Sequence, residues 1–486
     1  MADAERRTGR KAPTIAIVGG GFAGIGLAIA LKRAGIDSFT SYERGPEVGG
    51  VWRDNTYPGC ACDIPSRFYS YSFEPDWNWT APYGNQGEIL DYIKHCVAKY
   101  GIADKFRFGT NVKRAEFDDD AKRWRLETQS GETIVADVFV SAVGVFNNPV
   151  IPEIPGRARF AGPQFHSAWW KHDVDLAGKS VAVIGTGASA IQFVPAIAPK
   201  VARLTLFQRT PQYVLPRIVP DTSREAGSAL ARRLQRLRLF LTFEKGTRRR
   251  ASDRLTAKAQ NAFLQYLETQ VPDPDLRAKL TPSYRLGCKR VLQSNDWYPA
   301  LQRPNVKVVD TRIEEIVEDG VRTTDGTLHR ADVIVWGTGF TPTEFLTPMK
   351  ITGAGGRELS ESWRDGAEAY LGIAVSGFPN FFMMYGPNTN GPTSIIYMLE
   401  NQARYIVSAI HCLGRNGVRT IDLRAEVQRR FNANIQLRLN AGVHTDADCF
   451  SYFRTASGKV TTNWPGYLLE YRWRTAFLRR RDYEFA

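Results

Sequence analysis

Two glycine-rich turns, each placed between a short apolar strand and a helix, carry the first chemistry legible in this 486-residue sequence. Gly19-Gly20-Gly21-Phe22-Ala23-Gly24 follows the β-branched run Thr14–Val18 and precedes a helical pattern from Ile25 to Ala34. A G-x-G-x-x-G turn lets the backbone approach a pyrophosphate and sets it at a helix N-terminus. Ser38–Tyr42 reads as the next strand, and Glu43 closes it 19 residues past Gly24. A carboxylate at that place holds ribose hydroxyls.

The unit recurs. Ser180–Ile184 is a strand, Gly185-Thr186-Gly187-Ala188-Ser189-Ala190 is the turn, and a helix is predicted from about Ser189 to Ala198. Leu204–Gln208 is the second strand, and Arg209 stands 19 residues past Ala190. The offset matches that of Glu43 and the charge is reversed. A guanidinium binds a 2′-phosphate through charge-assisted hydrogen bonds, and a carboxylate repels it. The first turn therefore suits a cofactor with free ribose hydroxyls, and the second suits NADPH rather than NADH. Glu47-Val-Gly-Gly50-Val51-Trp52 offers adjacent glycines for close approach to an extended ligand. Two such folds in one chain are the arrangement of flavoproteins in which FAD stays bound and NADPH is brought to it.

These elements predict an α/β chain with two Rossmann-like dinucleotide-binding domains, for FAD and NADPH, and a helical insertion. The first part of the FAD-binding domain spans 1–145. The linker and first part of the NADPH-binding domain span 146–220. The insertion spans 221–280, the second part of the NADPH-binding domain 281–340, and the second part of the FAD-binding domain 341–486. The segment from Asn147 to Gly178 is rich in Pro and Gly and reads as an ordered linker. In the insertion Leu234, Leu237 and Leu241 recur at helical spacing among arginines. This helix is read as a cover over the substrate site rather than a membrane contact.

Composition bounds the rest. With 43% hydrophobic and 23% charged residues the chain is neither disordered nor fibrous. The net charge of +14 favours anionic partners, but the basic residues read as spread along the chain, so no nucleic acid is expected. The densest cluster, Arg248–Arg250, reads as a solvated helix end or loop. Six cysteines make no disulfide framework, and Cys60 and Cys62 lack the second pair or histidine of a zinc site, so no metal is expected. The charged start of the chain and the lack of a long apolar run point to a reducing cytoplasm. Oligomeric state has no sequence signature here.

Phe160, Gly162, His166 and Trp170 spell F-x-G-x-x-x-H-x-x-x-W. This resembles the fingerprint of the Baeyer–Villiger monooxygenases, class B flavin monooxygenases, and the resemblance runs over nearly the whole chain. Lys171 departs from the Pro or Asp usual in that family. Tyr57–Ile64 is similar to the family segment whose active-site Asp falls on Asp63. Gln208–Pro211 resembles its NADPH phosphate clamp, at Arg209 and Thr210. Gly287–Arg290 resembles the segment whose Lys reaches the phosphate, at Lys289, and whose Arg stands over the flavin, at Arg290. Tyr385–Gly391 resembles a flavin-side loop.

The resemblance implies an FAD site built from Gly19, Gly21, Phe22, Ala23, Gly24, Glu43, Gly50, Val51, Trp52, Asp63, Tyr69, Val112 and Asn388. It implies an NADPH site built from Gly185, Thr186, Gly187, Ala188, Ser189, Arg209, Thr210 and Lys289. The implied reaction uses NADPH and O2 to insert one oxygen atom beside a ketone carbonyl, through a flavin C4a-peroxide, giving an ester or lactone. Arg290 is expected to stabilise negative charge, Asp63 to orient Arg290, and His166 to serve a structural, hinge-type role, with Trp170 packing beside it. The alternatives are an N- or S-oxygenating flavin monooxygenase, an NADPH-dependent flavoprotein reductase, and a non-enzymatic flavin binder.

Overall fold

Ile15–Val18 is the central strand of a five-stranded parallel sheet. Phe39–Tyr42 and Phe106–Arg107 lie on one side of it, and Val138–Ser141 and Phe381–Met383 on the other. Ser180–Ile184 holds the same place in a second parallel sheet, between Arg203–Phe207 with Val306–Val309 and Val333–Trp336 with Gln164–His166. Every residue of Ile15–Val18, Val138–Ser141 and Val333–Trp336 is buried, as expected for strands covered on both faces. These positions come from a computed structural model that describes residues 12–217, 228–250, 252–391, 393–413, 417–441, 449, 451 and 453–486.

The repeat extends beyond the turns. An antiparallel meander, Val112–Asp118, Arg123–Thr128 and Thr133–Ala136, precedes Val138–Ser141. Another, Ile313–Val317, Gly320–Thr323 and Leu328–Arg330, precedes Val333–Trp336. The first sheet draws on both ends of the chain: Phe381–Met383 joins it late, and the helix Ile395–Leu413 packs on the helix Phe22–Arg33.

The first turn needs its glycines. Gly19 has φ +122°, and a Cβ on Gly24 would lie 1.9 Å from the Gly19 carbonyl oxygen. No side chain fits there, so helix and strand approach as closely as a pyrophosphate site requires.

Within the stretch expected to be a linker, Gln164–His166 is an edge strand of the second sheet. Gly162 permits this, because a Cβ there would sit 2.2 Å from the Asp332 carbonyl oxygen. Phe160 is buried in the core of the second unit.

The insertion forms the helices Ala229–Arg250, Asp253–Gln270 and Pro274–Leu280, and residues 221–227 lie outside the described residues. Arg248–Arg250 end the first of these helices. Its face against the protein is Arg236, Leu239, Phe240 and Phe243, not the leucine row read from the sequence. Arg236 donates to the Arg67 carbonyl at 2.8 Å and the Ser70 carbonyl at 3.1 Å, and Phe243 stacks on Phe68. Leu234, Leu237 and Leu241 are exposed. Two apolar rows share this helix, and spacing alone does not tell which row meets the core.

Two of the six cysteines are paired. Cys288 and Cys449, 161 residues apart, form a buried disulfide with Cα atoms 5.5 Å apart. No local spacing announces a pair so distant in sequence. Among the described residues, no helix is long and apolar enough to cross a membrane.

Candidate active site

Parallel strands point their carboxyl ends to one edge of the sheet, where ligands bind. Glu43 leaves Phe39–Tyr42 at that edge and is buried beneath the first turn. Its Oε2 accepts from the Gly20 N–H at 2.7 Å, and its Oε1 accepts from the Gly45 N–H at 2.7 Å and from Arg53 at 3.0 Å. Gly21 faces Gly50, whose φ of +54° starts the short helix Val51–Asp54. Trp52 in that helix donates to the Tyr69 hydroxyl at 3.0 Å, and Phe22 meets Tyr69 edge to face at 5.4 Å. Val112 opens the meander strand beside this region, where Thr110 N–H donates to the Glu43 carbonyl at 2.9 Å. Asn388, with φ +56°, lies on the loop after Phe381–Met383. Its Nδ2 donates to the carbonyls of Val460 and Asn463, and its buried Oδ1 has no partner among the described residues. The Ser141 hydroxyl, at the end of the neighbouring strand, is likewise buried without one. Buried polar atoms are nearly always paired, so these orphans fit a polar ligand such as FAD on this sheet edge.

The second turn begins at Gly185, with φ +109°, and passes Thr186, Gly187 and Ala188 to Ser189 at the head of the helix Ala190–Ile197. Thr186 donates to the Thr210 carbonyl at 3.3 Å. Arg209 is exposed just past the strand Arg203–Phe207. Lys289, eighty residues later, is brought close enough for the two cations to repel. Burial first, and the Arg209 charge second, lower the Lys289 ammonium to about 8. Two cations held against their repulsion could hold a doubly charged anion such as the 2′-phosphate of NADPH. The protonated amine is the form that would bind phosphate, so affinity for NADPH is expected to fall as pH rises through 8. The KM for NADPH is expected to rise by up to about tenfold per pH unit above 8. In Lys289→Met that dependence should flatten, as initial rates across pH 7 to 9.5 would reveal.

Asp63 and Arg290, 227 residues apart, meet. One Arg290 nitrogen donates to both Asp63 oxygens, at 2.7 and 2.6 Å. Gln192, which sequence reasoning missed, ties this pair to the second fold. From the helix Ala190–Ile197 its Oε1 accepts from the Tyr57 hydroxyl at 3.1 Å and the Ala61 N–H at 3.2 Å, and its Nε2 donates to the Ala61 carbonyl at 3.0 Å. The one signal in the sequence is an amide in the otherwise apolar run Ala190–Ile197. Gln192→Leu should retain FAD and slow product formation about ten- to a hundredfold through a displaced Asp63. Rapid-mixing kinetics giving an unchanged rate would show that other contacts hold the loop.

His166 is fully buried. Its Nδ1 accepts from the Ala168 N–H at 3.1 Å, and burial lowers its pKa to about 4, so the imidazole is neutral. Trp170 packs against Phe165 and Phe193, while Trp169 is exposed. Both tryptophans border a cleft of about 970 Å³ that also takes in Arg44, Arg53, Asn111 and Gln129, next to Glu43. The fingerprint thus links the second sheet to the surroundings of Glu43 in the first unit.

Residues 16–239 match a family model described as pyridine nucleotide-disulphide oxidoreductase. A Baeyer–Villiger monooxygenase from Streptomyces coelicolor is 44% identical over 97% of this chain and 92% of its own length. One from Pseudomonas aeruginosa is 39% identical over 94% and 88%. The chain belongs to the Baeyer–Villiger monooxygenase family. It is an NADPH-dependent flavin monooxygenase with FAD as its second cofactor. Among solved structures, an oxidised steroid monooxygenase bound to NADP superposes with a TM-score of 0.85 at 29% identity, covering 98% of this chain and 99% of its own.

Proposed function

We propose that this Baeyer–Villiger monooxygenase converts a ketone into an ester or lactone with Arg290, oriented by Asp63, as the residue that stabilises developing negative charge. The single observation that carries this is the Asp63–Arg290 ion pair, joining a segment of the first fold to a segment returning from the second. FAD, when bound, supplies the oxygen-activating chemistry by accepting hydride from NADPH and delivering one atom of O2.

The chain's own residues position and stabilise. Glu43 and the Gly19–Gly24 turn hold the flavin nucleotide by its ribose and pyrophosphate. Arg209, Thr210 and Lys289 hold the 2′-phosphate of NADPH. Arg290 keeps its proton at any working pH and presents a planar fork to a carbonyl oxygen gaining charge. Asp63 fixes the direction of that fork. Neutral His166 keeps the fingerprint strand seated without adding charge.

In N- or S-oxygenation the substrate is itself the soft nucleophile, which leaves Arg290 without a task. Disulfide reduction is not supported by Cys60 and Cys62: both are buried free thiols, and burial pushes Cys60 up to about 11 and Cys62 higher still. A reducing cytoplasm, where NADPH is made, is the compartment we assign. The free thiols support it, and the one disulfide is shielded in the interior.

The test is a panel of linear, cyclic, aromatic and steroidal ketones, scored by oxygenated product rather than by NADPH loss. Ester or lactone from at least one class is the expected result. Sulfoxide from a thioether with no ester from any ketone would replace this reading by the soft-nucleophile one.

A further inference from the structure

The charge of the chain is not spread evenly after all. Residues 229–250 carry eight Lys and Arg against one acid, and residues 468–481 carry five against one. These two short segments hold eleven of the fourteen excess positive charges. In the fold they meet: the Glu244 carboxylate, on the insertion helix, accepts from the Leu468 and Leu469 N–H groups at 3.2 and 2.7 Å. Arg438 joins them to a third helix, Ala425–Asn440, by a two-point ion pair with Glu470, which also accepts from Arg474.

The same place carries most of the exposed apolar side chains. Of fifteen large hydrophobic residues exposed among the described residues, eight lie on these three elements. Leu230, Leu234, Leu237 and Leu241 form one row along the insertion helix. Leu437, Leu469, Trp473 and Phe477 are each more than 60% exposed. Beside the leucine row, at i±3 or i±4, stand the exposed Arg233, Arg238 and Lys245. Arg472, Arg480 and Arg481 are exposed around Trp473 and Phe477, and Arg479 covers the Trp473 ring at 4.8 Å. Of the nearby acids, Glu470 is engaged twice and Asp76 is paired with Arg232.

An apolar row edged by cations on every side is the chemistry of a helix lying in a lipid interface. Leucine and tryptophan enter the headgroup boundary, and arginine stems reach back to phosphate. A second copy of the chain fits less well, because a twofold contact would set this positive face against itself. We infer that this face, formed by the insertion helix and the 468–481 segment, docks on the surface of an anionic phospholipid bilayer. It does so without spanning the bilayer and independently of which ketone the enzyme oxidises.

Co-sedimentation of the full-length holoenzyme with vesicles tests this. It should pellet with mixed phosphatidylcholine–phosphatidylglycerol vesicles and bind phosphatidylcholine alone at least about tenfold more weakly. The double substitution Leu237→Glu, Leu241→Glu should lower binding at least about tenfold with flavin content unchanged. Trp473→Ser, on a separate element, should also weaken it and serves if the double variant does not fold. No binding to the anionic vesicles overturns the proposal. Binding that salt abolishes but neither substitution alters overturns it too, since the apolar row is then idle. A concentration-dependent dimer abolished by the same substitutions, without vesicle binding, assigns the face to a second copy instead.

Discussion

Arg290→Ala is expected to bleach with NADPH within a few-fold of the parent rate and to form ester about 10²–10³-fold more slowly. The two half-reactions should separate because Arg290 is not among the residues we assign to holding either nucleotide. Hydride transfer needs the two cofactors aligned, a task we assign to Glu43, Arg209 and Lys289 elsewhere in the fold. Oxygen insertion builds negative charge beside the substrate carbonyl, and a fixed guanidinium stabilises that charge more than it stabilises the neutral ketone. Loss of Arg290 also leaves Asp63 without its 2.6 Å partner, so the anion that remains opposes the same charge. Stopped-flow bleaching and product analysis on one preparation would check both halves. Ester formation at the parent rate would remove Arg290 from the mechanism, and lost bleaching would recast it as a cofactor ligand. Arg290→Lys keeps the charge but not the fork, and should recover only part of the rate.

Arg209→Ala should raise the KM for NADPH about ten- to a hundredfold and leave that for NADH nearly unchanged. A hydrogen bond to a charged group contributes roughly 1.5–3 kcal/mol, which corresponds to that factor. NADH has no 2′-phosphate and so nothing to lose at this position. Arg209 and Lys289 are proposed to act on one anion, and the Arg209 charge already acts on Lys289, so their substitutions should not add. The double variant Arg209→Ala, Lys289→Met should lose nearly all preference between the two reductants. Steady-state rates with each reductant supply the test, and a preference for NADPH that survives in the double variant would move the phosphate site elsewhere.

Much of the candidate site is legible in the sequence, for a local reason. The turns Gly19–Gly24 and Gly185–Ala190 act through backbone geometry, and their spacing from Glu43 and Arg209 is set by one strand, one turn and one helix. Phe160, Gly162, His166 and Trp170 sit within eleven consecutive residues, so the fingerprint could be recognised. What it does mechanically was less legible. Gln164–His166 looked like linker because three residues between prolines and glycines carry no strand period. It became an edge strand by pairing with Val333–Trp336, nearly 170 residues away.

By itself the sequence determined the two nucleotide folds, the opposite charges of Glu43 and Arg209 at matching positions, and the family, because each rests on residues close together in the chain: the turns within one βαβ unit and the fingerprint within eleven residues. Only the tertiary structure decided that Asp63 meets Arg290, that Lys289 joins Arg209, that Gln192 reaches the Ala61 backbone, and that Cys288 bonds Cys449. It also decided which row of the insertion helix faces inward. Periodicity records that a face is apolar, whereas its partner is chosen by the packing of distant segments, and the free energy of that choice leaves no mark on local spacing.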